Sequence, residues 1–221
     1  MKQFLLTVLI CTAGIPFAGI SQTNLNLNEQ GTVKKHQPKY GLKAGYNISK
    51  MAGSKANFDP ANESGFMIAG FFSPSAKTGI GFRTEVVFSQ TNHSLLDSSA
   101  KNSVKTNYIY LPQLTTFSIG KFLQLQAGGQ VGILLQASET KVSGSSPENG
   151  IMDFMNKIDY GFAGGAEVYP FKGLIAGARY NISFGNMYKT SVAQNSPYPL
   201  PFPSDIKSKN AVVQFFIGYK F

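Results

Sequence analysis

The stretch LQLQAGGQVGILL, residues 123–135, decides the fold prediction because its apolar and polar positions alternate with a period of two. The odd-numbered positions carry Leu, Ala, Gly, Val or Ile, and the even-numbered positions carry Gln or Gly, with Leu134 as the exception. This period is typical of a β-strand whose two faces meet different surroundings. Core strands of soluble proteins rarely alternate over this length, whereas a membrane-crossing strand needs roughly 9–11 residues. We therefore predict a membrane-spanning strand.

Seven other stretches have strand-like sequences, which makes eight predicted strands in all. Five of them alternate clearly, namely residues 40–48, 80–89, 158–168, 174–184 and 211–221. The stretch 65–73 is apolar on both faces, so the sequence leaves its register open. The stretch 104–119 contains Pro112, which has no N–H to donate to a neighbouring strand, and we expect a bulge or a local break there.

The connections between these strands alternate in length. Short connections lie at 74–78, 120–121 and 170–173, and long ones lie at 49–64, 91–103, 138–157 and 185–209. Outer-membrane barrels have this rhythm, with an even strand number, short periplasmic turns and long outer loops. The predicted fold is therefore all-β: an eight-stranded antiparallel up-and-down transmembrane β-barrel with short periplasmic turns and long extracellular loops.

The composition fits this fold and excludes other classes of protein. Only 14% of the 221 residues are charged, and there are 23 Gly, 18 Phe and 10 Tyr. A mean hydropathy near zero argues against a helical membrane protein. The net charge of +9 comes from scattered basic residues, so we expect contact with lipid headgroups and no nucleic-acid partner. The single cysteine, Cys11, leaves no disulfide, thiol or Cys–metal chemistry after signal cleavage.

The N-terminal segment is a predicted secretory signal peptide. Lys2 precedes an apolar run, and Gly19 and Ser21 then form a small-x-small cleavage pattern. A membrane anchor is the alternative, and the shortness of the run and the lack of a stop-transfer flank argue against it. The predicted organisation is a signal peptide at 1–21, a flexible periplasmic lead-in at 22–38 and an outer-membrane barrel domain at 39–221.

The last strand ends in Tyr219–Lys220–Phe221, with further aromatic residues before it. A terminal aromatic residue in such a strand matches the signal that the outer-membrane assembly machinery recognises. We therefore predict that Tyr219 and Phe221 form a terminal assembly signal. The predicted partners during insertion are the barrel-assembly machinery and the outer-membrane lipid.

Five segments carry a resemblance to a known family: YGLKAGYN at 40–47, GFMIAG at 65–70, FRTEV at 82–86, YIYLP at 108–112 and ARYNIS at 178–183. With them the chain resembles the PorT-like outer-membrane β-barrel proteins of Bacteroidota over roughly residues 40–221. The fourth strand of that family usually reads Tyr-Leu-Glu-Ile-Pro with a later Lys, whereas Tyr110 and Thr116 stand near those positions here. The resemblance implies a fold and a compartment rather than one function, since a few members serve secretion or gliding machinery.

Charged residues on the polar strand faces predict a charge cluster inside the barrel. Its members are Arg83, Glu85, Asp159, Glu167 and Arg179, and Lys43 and Lys220 also face inward. An eight-stranded barrel is just wide enough for side chains to fill it, and buried charges must pair. We interpret the cluster as a salt-bridged structural plug, and the alternative is a narrow gated channel.

Two motifs in the predicted outer loops are candidates for activity outside the barrel wall. Proline occupies every second position over 197–203, which favours an extended conformation. The side chains presented there are Tyr198, Leu200 and Phe202. This segment is either a stiff loop over the barrel mouth or a partner-binding loop. His93 and Ser94 suggest a lipid-modifying enzyme, but no third residue to orient the base can be identified, so we interpret them as ordinary loop residues.

The sequence thus predicts a non-enzymatic integral protein of the bacterial cell outer membrane with a structural or interaction role. We find no catalytic, cofactor-binding or metal-ligating pattern and expect no cofactor. The main alternative is an accessory subunit of a secretion or gliding machinery. A lipid-modifying enzyme and a narrow pore are weaker alternatives. A periplasmic or surface protein is a candidate partner.

Overall fold

The computed structural model describes residues 38–52, 63–74, 79–97, 100–140, 152, 155–189 and 209–221. These residues form the strands β1 (Lys39–Ala52), β2 (Glu63–Ser73), β3 (Ile80–Asp97), β4 (Ala100–Ile119), β5 (Leu123–Thr140), β6 (Ile158–Val168), β7 (Leu174–Ser183) and β8 (Lys209–Lys220). Each strand is antiparallel to the next, and β8 pairs with β1, so the sheet closes into a barrel. The predicted eight-stranded up-and-down barrel is confirmed. Within the described ranges, no helix is both long and apolar enough to cross a membrane.

Side chains alternate between the interior and the outside of the barrel, with apolar residues outside and many polar ones inside. On β2, whose register the sequence left open, Met67 and Phe71 are buried inside and Ile68 is 55% exposed outside. Leu42 and Val86 are other exposed apolar residues of the wall, whereas Lys43 and Glu85 beside them are buried. This inverted arrangement is expected of a barrel surrounded by lipid.

The two ends of the barrel differ in how the strands are joined. Tight connections at 120–122 and 169–173 include Gly120 with φ 64° and Gly173 with φ 85°, a backbone conformation that favours glycine. We call the end that holds these connections the turn end, and the opposite end the loop end. The first residue of β1 and the last residue of β8 both lie at the turn end.

The prediction of a loop at 91–103 is wrong, because β3 and β4 continue through most of this segment as a paired hairpin. His93 pairs with Val104, Ser94 pairs with Ser103, and the ladder runs on to Asp97 and Ala100. The prediction relied on alternation between apolar and polar residues. The hydrogen bonds between strands do not depend on that alternation, so a strand can continue where the sequence pattern ends.

The bulge or local break expected near Pro112 corresponds to two separate features, a break in the β3–β4 ladder and a bulge in the β4–β5 ladder. Pro112 keeps its register with Gln130 on β5, but the β3–β4 ladder is interrupted between the pairs Thr84–Gln113 and Val87–Tyr110. The missing N–H of proline explains this local break.

The bulge lies higher on the β4–β5 ladder, opposite the step from Asn107 to Tyr108. Gln136 pairs with Asn107 and Leu134 pairs with Tyr108, so Leu135 has no partner in this register. Because of this extra residue, even-numbered residues of β5 face inward up to Leu134, whereas Ala137 faces inward beyond it. Leu134 and Ala137 are both buried, while Leu135 is 47% exposed. The bulge thereby explains why Gln136, which the sequence pattern placed on the polar face, lies outside.

Candidate functional site

The inward side chains of three strands meet at Lys43, in the half of the barrel nearer the turn end. The Lys43 Nζ donates hydrogen bonds to Glu85 Oε1 and to Glu167 Oε1, each at 2.6 Å. Lys43 belongs to β1, Glu85 to β3 and Glu167 to β6. These two contacts therefore cross the interior of the barrel and join strands that are not neighbours in the sheet.

Two arginines complete the charge pairing. Arg83 Nη1 donates to Glu167 Oε2 at 2.6 Å. Arg179 donates from Nη1 to Glu85 Oε2 at 2.8 Å and from Nη2 to Oε1 at 2.9 Å, which is a bidentate pair. We call Lys43, Arg83, Glu85, Glu167 and Arg179 the interior charge network.

The interior charge network is almost completely removed from water. Its side chains are 0–3% exposed. Three cations and two carboxylates leave a formal charge of +1 on the network. Because an unpaired buried charge costs several kcal/mol, roughly 3–5 when one partner of a pair is removed, such a set is stable only while its members stay together.

Two phenylalanine rings frame the network. Lys43 Nζ lies 5.0 Å from the ring centroid of Phe71 and 4.8 Å from that of Phe216. The Arg83 guanidinium lies 4.5 Å from the Phe71 centroid, and that of Arg179 lies 5.6 Å from the Phe216 centroid. These are cation–π distances, which add attraction where the cations are desolvated.

Glycines make room for the two rings. A Cβ added to Gly41 would lie 2.6 Å from the Phe71 ring, and one added to Gly177 would lie 2.7 Å from the Phe216 ring. A side chain at either position would therefore push its ring into the network.

Neutral side chains complete the hydrogen bonding of Glu167 and of the two arginines. Tyr169 donates to Glu167 at 2.8 Å, and Gln126 donates to Glu167 at 3.1 Å. Gln126 in turn accepts from Arg179 at 3.1 Å, and Arg83 donates to Gln124 at 2.8 Å. Tyr169 follows β6 at the turn end. Burial raises the pKa of its phenol, and the nearby Glu167 carboxylate raises it further, so Tyr169 remains a donor at neutral pH.

The structure brings four of the five predicted cluster members together and leaves Asp159 apart. Asp159 accepts hydrogen bonds from Tyr110 at 2.9 Å and from Ser183 at 2.5 Å, and it has no basic partner among the described residues. Lys220, which the sequence also placed inward, lies over the Tyr169 ring at 4.3 Å. The central residue of the network is instead Lys43.

The interior between the network and the loop end is filled by polar side chains. Asn47 donates to Ser89 at 2.9 Å and accepts from Gln214 at 3.1 Å. Two interior cavities lined by described residues measure about 10 Å³ each. That volume is enough for about one water molecule.

An apolar group closes the interior on the side of the loop end. Met155 is 0% exposed, Met187 5% and Tyr188 2%, and the backbones of Met155 and Tyr188 form a β-bridge. These three side chains pack in one core cluster with Tyr108 and Leu134. We call Met155, Met187 and Tyr188 the loop-end cap.

The other residues singled out from the sequence lie elsewhere. Tyr219 and Phe221 are 50% and 62% exposed at the turn end, where Phe221 stacks on Tyr40 with centroids 5.8 Å apart. The backbones of His93 and Ser94 lie on β3, and their side chains lie outside the described part of the structure. The proline-rich segment with its candidate partner-binding side chains also lies outside the described residues. No group of three or more His, Cys, Asp or Glu residues in the described ranges is arranged to hold a metal ion.

Sequence comparison gives a family match over most of the chain. The model of a family described as "Outer membrane protein beta-barrel domain" matches residues 20–189. The match ends before β8, the strand that closes the barrel against β1. No curated protein matches the chain.

Several solved structures align with most of this chain. Ail, the attachment invasion locus protein of Yersinia pestis, in complex with the heparin analogue sucrose octasulfate, aligns with a TM-score of 0.50 and 16% identity, covering 84% of this chain and 99% of that chain. Neisserial surface protein A aligns with a TM-score of 0.47 and 14% identity, covering 82% and 97%. OprG of Pseudomonas aeruginosa aligns with a TM-score of 0.44 and 12% identity, covering 84% and 97%. At 16% identity the likeness to Ail concerns the fold alone.

Proposed function

We propose that this chain is a closed barrel with a structural or interaction role and no enzymatic activity. The proposal proceeds from the family match: the chain belongs to the family of outer membrane protein beta-barrel domains. The predicted location in the bacterial outer membrane is confirmed by the family. In this proposal the turn end faces the periplasm and the loop end faces the outside, as in other bacterial outer-membrane barrels.

The observation that carries the proposal is the interior charge network. Lys43 bridges carboxylates from two other strands across the lumen, with Phe71 and Phe216 on either side. Above this layer the cavities measure about 10 Å³ each. An ion would have to break several buried ion pairs to pass, which favours a closed plug over a channel.

Planar-bilayer recording with the purified full chain tests this directly. We expect no discrete conductance steps beyond those of protein-free membranes. Protein kept unfolded in urea and added at the same concentration is the control, because it shows leaks caused by aggregation. Reproducible unit conductance from folded protein alone would contradict the closed barrel and favour the narrow pore.

We propose as a second candidate an accessory role in a secretion or gliding machinery, which rests on the PorT-like resemblance. The segments that carry that resemblance also hold four of the five members of the interior charge network, at 40–47, 82–86 and 178–183. We expect periplasmic machinery proteins to copurify with the full chain from native membranes, and to be lost when residues 22–38 are deleted. Unchanged copurification after that deletion would contradict a role for the lead-in.

The proline-rich segment is our proposed site for a surface partner. Replacing Tyr198, Leu200 and Phe202 together with Ser should abolish binding of any partner captured from native membranes. The matched control replaces Gln194 and Asn195 with Ser in the same segment, which leaves the apolar side chains in place. Equal capture by the two variants would contradict this proposal.

Absence of lipid-modifying activity is also part of the proposal. Ser94→Ala should leave the lipid A profile of the producing cells unchanged, as judged by mass spectrometry. His93→Ala serves as the second variant, since an enzyme that used the pair would respond to both. A lipid A species that disappears in both variants would contradict the non-enzymatic role.

Export and assembly complete the proposal. Cleavage after Ser21 would leave Gln22 as the first residue, which mass spectrometry of the mature protein can identify. Phe221→Ser should reduce the amount of folded barrel recovered in the outer membrane, because Tyr219 and Phe221 are the proposed assembly signal. Leu123→Ser, an equally apolar-to-polar change away from the last strand, is the matched control.

A further inference from the structure

Asp159 is the one buried carboxylate of the described residues that lies outside the interior charge network. Its Oδ2 accepts hydrogen bonds from the hydroxyl groups of Tyr110, at 2.9 Å, and Ser183, at 2.5 Å. These neutral donors lower the cost of burying the carboxylate, but they do not balance its charge. Because no basic side chain in the described ranges pairs with Asp159, a small cation beside it would stabilise this part of the barrel.

Asn210, on β8, provides a second oxygen that lacks a hydrogen-bond donor. The residue is 6% exposed, and its Oδ1 is buried without accepting a hydrogen bond. Tyr110 explains the orientation of the amide. Since Tyr110 gives its proton to Asp159, its oxygen can only accept, and the Nδ2 of Asn210 faces it at 3.5 Å. The Oδ1 of Asn210 therefore points away from Tyr110 and is left unpaired, which is costly for a buried acceptor.

One small cavity brings these groups together. Asp159, Ser183 and Asn210 all line it, and Met187 of the loop-end cap borders it as well. Its volume of about 10 Å³ admits one water molecule or one small ion. Ser183 has already donated its proton to Asp159, so its oxygen has only lone pairs to offer. Tyr108 also lines the cavity, and a hydroxyl group can turn its proton away from a cation.

We propose that this cavity binds a sodium ion through oxygen atoms of Asp159, Ser183 and Asn210, which we call the sodium site. Carboxylate, amide and hydroxyl oxygens are the ligands that hard cations prefer. A monovalent ion balances the single charge of Asp159, whereas calcium would leave an excess charge and takes 6–8 oxygen ligands. Sodium is also smaller than a water molecule, so it fits a cavity of this size. The bound ion links β6, β7 and β8 on the loop-end side of the interior charge network.

Urea unfolding of the full chain in phosphatidylcholine vesicles tests this binding. The measurement is made in sodium chloride and in choline chloride at the same ionic strength, because choline is too large for the cavity. An ion that binds only the folded state raises the ratio of folded to unfolded protein, by up to about tenfold for each tenfold rise in its concentration above the dissociation constant. We therefore expect the unfolding midpoint of the wild type to rise as sodium replaces choline.

Two variants remove ligands of the sodium site with little change of volume. Asp159→Asn removes the charge and Asn210→Leu removes the amide oxygen, and each should abolish the response to sodium. In choline chloride, Asp159→Asn should unfold close to the wild type. Glu63→Gln is the matched control, because it removes an acidic side chain at the loop end of β2, away from the cavity, and should keep the full response. A heat-modifiable gel shift shows that each variant is folded, and Asn210→Leu decides the outcome if Asp159→Asn does not fold.

Equal midpoints of the wild type in the two salts would overturn the proposal and would indicate that the cavity holds only water. The same response to sodium in the wild type and in Asp159→Asn would also overturn it, because that result would place the effect on the lipid or on the protein surface. Loss of the response in Glu63→Gln would overturn it too, since exposed acidic groups would then account for the effect.

Discussion

Replacing Lys43 with Met tests whether the interior charge network behaves as a dry, shared set of charges. Met is nearly as long as Lys and fits between the rings of Phe71 and Phe216, so the change removes charge with little loss of volume. It also removes the two 2.6 Å hydrogen bonds that the Lys43 ammonium donates to Glu85 and Glu167.

The magnitude follows from what remains after the change. Arg179 still holds Glu85 and Arg83 still holds Glu167, so each carboxylate keeps one cation and the network becomes neutral. Removing one partner of a buried pair typically costs about 3–5 kcal/mol. Because no charge is left alone here, we expect Lys43→Met to cost less, about 2–3 kcal/mol of unfolding free energy.

Glu85→Gln should cost more, although it also removes a single charge. Arg179 would lose the only carboxylate that it contacts in the described part of the barrel, and three cations would then share one anion. We expect a cost of about 4–5 kcal/mol, at the upper end for a buried pair.

Urea unfolding in phospholipid vesicles, followed by far-UV circular dichroism, measures these differences. Circular dichroism is the suitable probe because the chain has no tryptophan. Lys121→Met in an exposed turn is the control and should stay within about 0.5 kcal/mol of the wild type. Equal costs for Lys43→Met and Glu85→Gln would refute the unequal sharing of charge. Costs below about 1 kcal/mol for both would refute a dry network.

Three further predictions use the same unfolding measurement. Gly41→Ala should cost about 1–3 kcal/mol because its Cβ would clash with the backbone oxygen of Tyr219 and lie 2.6 Å from the buried Phe71 ring, whereas Gly70→Ala on the outer wall should cost nothing, and the reverse order would contradict the packing. Deleting Leu135 removes the bulge but lets Gln136 follow Leu134 in regular alternation, with the pairs Asn107–Gln136 and Tyr108–Leu134 kept, so the unfolding midpoint should stay near that of the wild type; a large loss of stability would show that the barrel needs the bulge itself. Asp159→Asn should stay within about 1 kcal/mol of the wild type, unlike Glu85→Gln, because it breaks no described ion pair; a loss as large as that of Glu85→Gln would reveal a further cation partner.

The strands that cross the membrane could be predicted because lipid and the polar interior impose opposite demands on neighbouring residues. The alternation over residues 158–168 has the same limits as β6. The upper parts of β3 and β4 could not be predicted in this way, because the alternation of their residues ends there while the backbone pairing continues. Leu134 looks like an error in the sequence pattern, and in the structure it marks the face change at the bulge.

The candidate site could be predicted only in part. The inward faces of Arg83, Glu85, Glu167 and Arg179 follow from strand period, but which cation meets which carboxylate depends on register and closure across the whole sheet. Lys43 becomes central because β1 closes against β8 and places it opposite β3 and β6. The sequence gives no indication that aromatic rings surround Lys43, apart from the glycines that pair with those aromatic residues on neighbouring strands.

The unequal strand lengths give the barrel a tall side and a low side. β3 has 18 residues and β7 has 10, so with about 3.4 Å per residue and a tilt near 40° the β3–β4 hairpin rises about 20 Å higher. Among the described residues this hairpin extends furthest beyond the loop end, so in the proposed orientation it is the described part that stands furthest from the membrane on the outer side of the cell.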